Sequence, residues 1–271
     1  LIACCVIRVR DEDLGVYSAA RLQNGERLNL RALLFMLLIP SDNAAAMTIA
    51  RGLAGDVKTY VGWMNESLGS WGLTDTHFAN PHGLDQEGNY TTARDAAIIA
   101  LYALRDPVFA DIVRRPEAVV GNRRLESTNK LLNTYSGTIG VKTGTTDEAG
   151  ECLIAMVDRP AGKVLAVVMG SEDRFNDARL LLNYFYANYA ELRIDLPQTP
   201  QNRYLDETNN WHEFGLREPI TLLIHPSQAG TASFYRRIEN TSPNPDPEKP
   251  IGTLVVSLAG QDLIEVPIYA R

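Results

Sequence analysis

Two apolar segments near the middle of the chain constrain its fold more than any other feature. Residues 152–157 and 163–169 are rich in aliphatic, strand-prone side chains, and Arg159-Pro160-Ala161-Gly162 between them has the residues of a hairpin loop. A hairpin pairs its two strands antiparallel, so this region predicts an antiparallel sheet. The whole stretch from residue 117 to residue 170 has the same character of strands and turns.

Helical patterns lie on both sides of this strand-rich region. Asn29 is a typical helix-capping residue, and Pro40 ends the helix that follows it. The apolar stripe of that helix consists of Leu33, Leu34, Leu37 and Leu38. Comparable patterns predict further helices that begin near residues 44, 56, 92, 106 and 173.

A different pattern follows a proline-bearing stretch at residues 196–204. Strand-like segments succeed one another at residues 220–225, 232–238, 253–258 and 263–269. We therefore predict two domains, a mixed α/β (α+β) domain over residues 1–192 and a small β-rich domain over residues 193–271.

The composition excludes several classes of function. The chain has 271 residues and a net charge of −7, which argues against a nucleic-acid partner because phosphate binding requires a basic face. Its three cysteines, Cys4, Cys5 and Cys152, are too few for a disulfide framework and lack metal-site spacing, so we interpret them as small apolar residues. No apolar stretch reaches 18 residues, and nothing predicts a metal or cofactor.

Two tripeptides carry the chemistry of the sequence: Ser41-Asp42-Asn43 and Lys142-Thr143-Gly144. Each alone is a weak signal, since Ser41 is also a typical helix cap and Lys142 a typical solvated charge. Both together, in this order, match two of the three motifs of penicillin-binding proteins and class A β-lactamases. The third motif of that pattern is an upstream Ser-x-x-Lys.

Acyl transfer explains why these residue types occur together. The reaction needs a nucleophilic hydroxyl, a nearby amine that moves its proton, and donors for the oxyanion. We expect Ser41 to relay a proton, Asn43 to hold a peptide backbone, and Lys142 to fix proton positions and attract an anionic substrate. Gly144 allows close approach of the substrate to its strand, and the backbone N–H near Thr145 is a candidate oxyanion donor.

Further segments resemble the serine-type D-alanyl-D-alanine carboxypeptidases, which are low-molecular-mass penicillin-binding proteins. These segments are residues 24–28, 33–43, 72–78, 80–85, 90–95, 128–132 and 140–144, with Arg174-Phe175. The resemblance covers about residues 20–190 and implies a penicillin-binding-protein/β-lactamase-like domain, with helices packed on an antiparallel sheet. The C-terminal part resembles the small all-β domain that often follows in this family.

The resemblance implies removal of the terminal D-Ala from peptidoglycan stem peptides through an acyl-enzyme, with β-lactam antibiotics acylating the same serine. Carried over, Ser41, Asn43 and Lys142 are catalytic, while Thr143, Gly144, Thr145 and Arg174 bind substrate. Arg174 matches the arginine that holds the terminal carboxylate, a role that suits a bidentate guanidinium. The loop histidine His82 is expected to be architectural. The family also implies an extracytoplasmic location in the bacterial cell envelope, with a membrane tether outside this chain.

The pattern departs from the family at its nucleophile. Before Ser41 the chain contains a single serine, Ser18, and Ala-Ala-Arg follows it. The one Ser-x-x-Lys, Ser127-Thr128-Asn129-Lys130, lies between the other motifs in the wrong order. The chain also begins with Leu1. We therefore expect an N-terminally truncated fragment that lacks the nucleophile segment, exposes apolar helix and sheet-edge surface, and is inactive as given.

Two alternatives remain open at this point. Class A β-lactamases more often carry Asp in the middle of the second motif, as Asp42 does here, but no Glu-x-x-Leu-Asn lies between the two motifs to activate water. The other alternative is a non-catalytic peptidoglycan-binding protein that has lost its nucleophile.

Overall fold

The computed structural model describes residues 5–271, so Cys4 lies outside the described residues. The chain divides into two compact units, Leu1–Asn183 and Tyr184–Arg271. The assignment of residues 1–192 and 193–271 to two domains stays a prediction. Among the described residues, no helix has both the length and the apolarity that crossing a bilayer requires.

Among the described residues, the first unit combines helices with two-stranded sheets and one three-stranded sheet. Its helices are α1 (Leu30–Leu38), α2 (Asn43–Ala54), α3 (Val57–Ser70), α4 (Ala93–Ala103), α5 (Pro107–Val113), α6 (Leu131–Thr134) and α7 (Arg174–Asn188), the last of which continues past Asn183. Its strands are β1 (Val6–Arg8), β2 (Arg27–Asn29), β3 (Glu117–Val120), β4 (Arg123–Glu126), β5 (Thr138–Thr146), β6 (Gly150–Arg159) and β7 (Gly162–Ser171).

Side-chain caps begin the helices where the sequence predicts them. The Asn29 side chain accepts a hydrogen bond from the backbone N–H of Ala32 at the start of α1, and Asp42 does the same for Ala45 in α2. Asp56, Thr92 and Asp106 cap α3, α4 and α5. These local contacts satisfy N–H groups that have no partner within the helix, so the short polar residues before each apolar run mark the helix starts.

The sheet of the first unit has the order β5-β6-β7, and all of its strands are antiparallel. The predicted hairpin is confirmed, but its turn is shorter than the predicted loop because Arg159 pairs with Gly162 across the ladder. Side chains of α4, α5 and the sheet form one apolar cluster, which includes Ala100, Val113, Val141 and Met156. The predicted packing of helices on an antiparallel sheet is therefore confirmed.

The second unit is built from strands. These are β8 (Ala190–Ile194), β9 (Arg203–Leu205), β10 (Trp211–Gly215), β11 (Ile220–Ile224), β12 (Ala232–Ile238), β13 (Pro250–Leu258) and β14 (Gln261–Ala270). They form a two-stranded sheet, β11-β8, and a five-stranded sheet, β12-β13-β14-β10-β9. Phe214, Leu254 and Ile268 lie in the shared core. The four predicted strands are present, and β8, β9 and β10 are additional.

Candidate active site

A cleft of about 720 Å³ opens in the first unit between the loop after α1, the segment between α3 and α4, and strand β5. Both sequence motifs reach it. The residues of the two motifs that line the cleft are Ser41, Asn43, Lys142, Thr143 and Gly144. Residues more than 100 positions apart thus share one concave site, as catalysis by both motifs requires.

Ser41 lies at the break between α1 and α2. Its backbone is left-handed, with φ 60°, a conformation that few residues other than glycine adopt. The next residue, Asp42, is completely buried and holds this turn in place. Its carboxylate accepts hydrogen bonds from Ser18 Oγ at 2.8 Å, the Ala20 N–H at 2.6 Å and the Ala45 N–H at 2.7 Å. Asp42 therefore fixes the position of the residues on either side of it.

Lys142 extends from β5 to Ser41. Its Nζ donates hydrogen bonds to Ser41 Oγ at 2.5 Å and to the Thr143 carbonyl at 2.9 Å. Burial, followed by the positive charge of Arg174, lowers the pKa of the Lys142 ammonium to about 8. An amine with this pKa, in contact with a hydroxyl, is suited to exchanging a proton near neutral pH.

The residues after Lys142 form the floor of the cleft along β5. Thr143 is buried, and its hydroxyl shares a hydrogen bond of 2.5 Å with that of Thr128. A Cβ added at Gly144 would have one neighbour within 4 Å, the Cβ of Cys152 at 4.0 Å. The glycine therefore leaves the surface of the strand open, as close approach of a ligand requires. Within the described sheet β5 pairs with β6 alone, so its other edge has no strand partner there.

Arg174 braces β5 and does not appear among the described residues that line the cleft. Its Nη1 donates to the Gly144 carbonyl and to Thr145 Oγ1, each at 2.6 Å, and its side chain is 14% exposed. Its Nε is buried and has no hydrogen-bond partner among the described residues. In this arrangement the guanidinium supports the strand, and its positive charge contributes to the lowered pKa of Lys142.

The segment between α3 and α4 forms the opposite wall, and sequence reasoning did not assign it a functional residue. His82 lines the cleft, and its Nδ1 accepts a hydrogen bond from the Leu84 N–H at 3.2 Å. Burial lowers the pKa of His82. Asp85 also lines the cleft, and its carboxylate accepts from the Glu148 N–H at 3.1 Å. The sequence offers no signal for this second contact, because its partners are 63 residues apart.

The serine and the lysine of the internal Ser-x-x-Lys are not among the described residues that line the cleft. Lys130 is exposed, and its Nζ is 5.5 Å from the centre of the Phe175 ring. Ser127 Oγ accepts a hydrogen bond from the Asn129 N–H at 3.2 Å. Neither residue is among the described residues that line the cleft, so the geometry does not join this serine to Lys142.

Comparisons with known proteins agree with the motifs. The sequence model of the D-alanyl-D-alanine carboxypeptidase family, peptidase S11, matches residues 8–173. The D-alanyl-D-alanine carboxypeptidase DacF of Bacillus subtilis is 27% identical over 266 residues, 92% of this chain and 67% of that protein. The D-alanyl-D-alanine carboxypeptidase of Streptomyces strain K15 is 33% identical over 189 residues, 63% of this chain and 65% of that protein. The chain spans 46% of the length of Escherichia coli DacC, to which it is 32% identical.

Solved structures show the same relationship. Penicillin-binding protein 5 from Haemophilus influenzae aligns with a TM-score of 0.78 at 22% identity, covering 98% of this chain and 81% of that chain, and this likeness shows the fold. The Streptomyces K15 DD-transpeptidase aligns with a TM-score of 0.65 at 29% identity, covering 69% of this chain and 80% of that chain. Because the family model matches more than half of the residues, including both motifs of the cleft, the chain belongs to the D-alanyl-D-alanine carboxypeptidase family.

Proposed function

We propose that this chain belongs to a serine-type hydrolase that removes the terminal D-Ala from peptidoglycan stem peptides through an acyl-enzyme. The observation that carries the proposal is the hydrogen bond from Lys142 to Ser41 inside the cleft. It joins the second and third motifs of the family in one site. Family membership supports the reaction, and β-lactam antibiotics are proposed to acylate the same nucleophile.

In this proposal Ser41 relays a proton between the cleft and Lys142. The Ser41 hydroxyl accepts from the ammonium, so its own proton is free to be donated to the leaving D-Ala amine. Lys142, whose pKa is about 8, can then replace that proton at little cost near neutral pH. Asn43, which begins α2 beside Ser41, is proposed to hold the peptide backbone.

The strand residues complete the proposed site. An extended peptide can add to the free edge of β5, where Gly144 leaves room and the Thr145 N–H is a candidate oxyanion donor. Thr143 is proposed to contact the substrate beside them. We propose that Arg174 holds the substrate carboxylate, which requires its guanidinium to exchange a strand contact for the ligand.

The acylated serine is proposed to lie outside residues 1–271. Ser18 is unsuited to the role because its Oγ donates to the buried Asp42 and accepts from the Leu22 N–H at 2.9 Å. Ser127 is not among the described residues that line the cleft, and its Oγ accepts a hydrogen bond from the Asn129 N–H. The chain as given is therefore proposed to be inactive and to form no penicillin adduct.

Labelling with fluorescent penicillin tests both parts of this proposal. The chain as given is expected to remain unlabelled, and an adduct located by mass spectrometry on Ser41 or Ser127 would contradict the assignment of the nucleophile. A polypeptide that also contains an in-frame upstream Ser-x-x-Lys is expected to label stoichiometrically. In that polypeptide Lys142→Ala should slow labelling by about 10²-fold or more, whereas the exposed control Lys163→Ala should not.

The same experiment separates the alternatives. Slow release of the bound penicillin indicates a carboxypeptidase, and fast release indicates a class A β-lactamase. Absence of a Ser-x-x-Lys upstream of Ser41 in the complete reading frame favours a non-catalytic peptidoglycan-binding protein. The proposed substrate places the site on the outer side of the cytoplasmic membrane, in the bacterial cell envelope.

A further inference from the structure

Strand β12 forms an open edge of the five-stranded sheet in the second unit. It pairs with β13 on one side, and within the described part of the chain no strand pairs with its other side. Proteins commonly protect such an edge with proline, lysine, a bulge or a very short strand. β12 has seven residues, contains neither proline nor lysine, and keeps an unbroken register with β13. The open edge of β12 is therefore able to accept a further strand.

The ladder shows which backbone groups face this open edge. Next to the end of β12, the Glu239 N–H donates to the Ile251 carbonyl at 2.8 Å, in register with the paired residues of β12 and β13. In an antiparallel ladder, residues alternately direct their N–H and C=O groups towards and away from the partner strand. The odd-numbered residues of β12 therefore bond to β13, and the N–H and C=O groups of Phe234 and Arg236 point towards the open edge.

The side chains at the open edge are aromatic and basic. The side chains of Phe234 and Tyr235 are 57% and 49% exposed. Both arginines of the strand have contacts within their own sheet. Arg237 Nη2 pairs with Glu265 Oε2 at 3.1 Å, and the guanidinium of Arg236 lies 5.4 Å from the centre of the Phe214 ring. These contacts reduce the repulsion that a second basic strand would meet at this edge.

β12 is complementary to a second copy of itself. In an antiparallel pair with its two-fold axis at Tyr235, all seven residues of each strand have a partner. Phe234 of each copy then lies opposite Arg236 of the other, where their outward N–H and C=O groups form two hydrogen bonds in each pair. The Arg236 guanidinium also meets an aromatic side chain there.

Other registers satisfy the strand less well. A shift of one residue places groups that already bond to β13 opposite the outward groups of the second copy. A shift of two residues leaves part of each strand unpaired. In one direction this shift also places Arg236 opposite Arg236, and like charges directly opposite each other are destabilising.

We propose that two copies of this chain associate through β12, joining their five-stranded sheets antiparallel about a two-fold axis at Tyr235. A second copy fits better than an unrelated extended peptide, because the strand complements itself in the register that uses its whole length. The association does not depend on the reaction proposed for the cleft. One strand pair buries less surface than a standard interface, so we expect a weak dimer with a Kd of about 10–500 µM.

Sedimentation equilibrium of the chain at about 10 µM to 1 mM should show a reversible monomer–dimer equilibrium. Arg236→Pro removes an N–H that points towards the open edge and retains the bonds to β13, so it should weaken association by about tenfold or more. Arg193→Gln, which removes the same charge from an exposed residue of β8, should associate like the wild type. Thermal unfolding checks that each variant is folded.

Cysteine pairs test the register itself, in a chain whose three native cysteines are replaced by alanine. Across the two-fold axis the two Tyr235 Cα atoms are expected to lie about 4.5 Å apart, within disulfide range. The control Ser233 is exposed on the same face of β12, but its two copies are about 13 Å apart. With diamide as oxidant, Tyr235→Cys should therefore form covalent dimers about tenfold faster than Ser233→Cys, or more.

Three outcomes would overturn the proposal. A monomer at every concentration shows that the edge does not pair with its own copy. Association of Arg236→Pro equal to that of the wild type places the dimer contact elsewhere. Equal cross-linking of Tyr235→Cys and Ser233→Cys indicates random collision, and this comparison decides the matter if Arg236→Pro does not fold.

Discussion

Lys142 donates a hydrogen bond to the hydroxyl of Ser41 across 101 residues of sequence. The ammonium is held in a largely buried position where its own positive charge is disfavoured, and this lowers its pKa to about 8. Because the pKa of Lys142 differs between the folded and the unfolded chain, the stability of the first unit depends on pH.

Lys142→Met should change that dependence. The folded-state pKa of Lys142 lies below its ordinary 10.5, so between about pH 8 and pH 10.5 the unfolded chain binds more protons at this residue. Stability of the wild type, relative to the variant, should therefore rise with pH across that window and be constant below it. We expect a rise of about 1–3 kcal/mol. Urea unfolding from pH 7 to pH 10.5 measures it, and Lys163→Met, at an exposed lysine, is the control that should show no such rise.

Asp42→Ala should destabilise the first unit by about 3 kcal/mol. The change removes a helix cap and leaves the donors Ser18 Oγ and the Ala20 N–H without their acceptor in a buried position. Asp56→Ala, which removes the exposed cap of α3, should cost about 1 kcal/mol. Denaturant unfolding of both variants compares the two, and equal losses would contradict the role given to Asp42 in holding the turn at Ser41.

Arg51→Met should cost about 3–5 kcal/mol at pH 7. Arg51 donates from Nε and Nη2 to the two oxygens of Asp13, at 2.8 and 2.7 Å, and both side chains are buried. Removal of one partner leaves a buried charge uncompensated.

The same pair also has a pH signature. Burial raises the pKa of Asp13, but the hydrogen bonds from Arg51 and its neighbours outweigh it and lower that pKa overall. The stability from this pair is thus present above the ordinary aspartate pKa of about 4 and is lost as pH falls below it. Unfolding measured from pH 7 to pH 3 should show a steeper loss in the wild type than in Asp13→Asn/Arg51→Met.

Gly137→Ala should destabilise the chain more than Gly121→Ala. Both glycines have a positive φ, 85° and 60°, so an alanine costs about 1–2 kcal/mol at either position. At Gly137 the new Cβ also lies 2.7 Å from the backbone oxygen of Asp158, whereas at Gly121 it meets nothing within 4 Å. Thermal unfolding of the two variants should show the larger decrease in melting temperature for Gly137→Ala. Equal decreases would indicate that backbone strain alone accounts for the loss of stability.

Local sequence signals determined the helix starts, one hairpin and the family motifs of this protein. The polar residues Asn29, Asp56 and Thr92 predicted helix starts, because a capping hydrogen bond forms within three residues of the cap. The hairpin of β6 and β7 was predictable from two aliphatic runs around a short turn. The sequence also contained both motifs of the family in their order, which was enough to predict the fold class and the family.

The strands β9 and β10 escaped prediction for a physical reason. β9 has three residues, and β10, with the sequence Trp-His-Glu-Phe-Gly, combines polar and aromatic side chains without regular alternation. Such segments become strands because their neighbours in the sheet pair with them, and this information does not lie in the segment itself.

Only the tertiary structure decided which of the chemically suited residues meet. Helix caps and hairpins join residues that are close in sequence, whereas the contacts of Ser41 with Lys142 and of Asp85 with Glu148 span 101 and 63 residues. Both contacts form only when the elements that carry these residues pack together, and this packing is a property of the whole core. The resemblance to the family implies that Arg174 binds substrate, and this role stays a prediction; the structure shows that its guanidinium donates a hydrogen bond to the Gly144 carbonyl of β5.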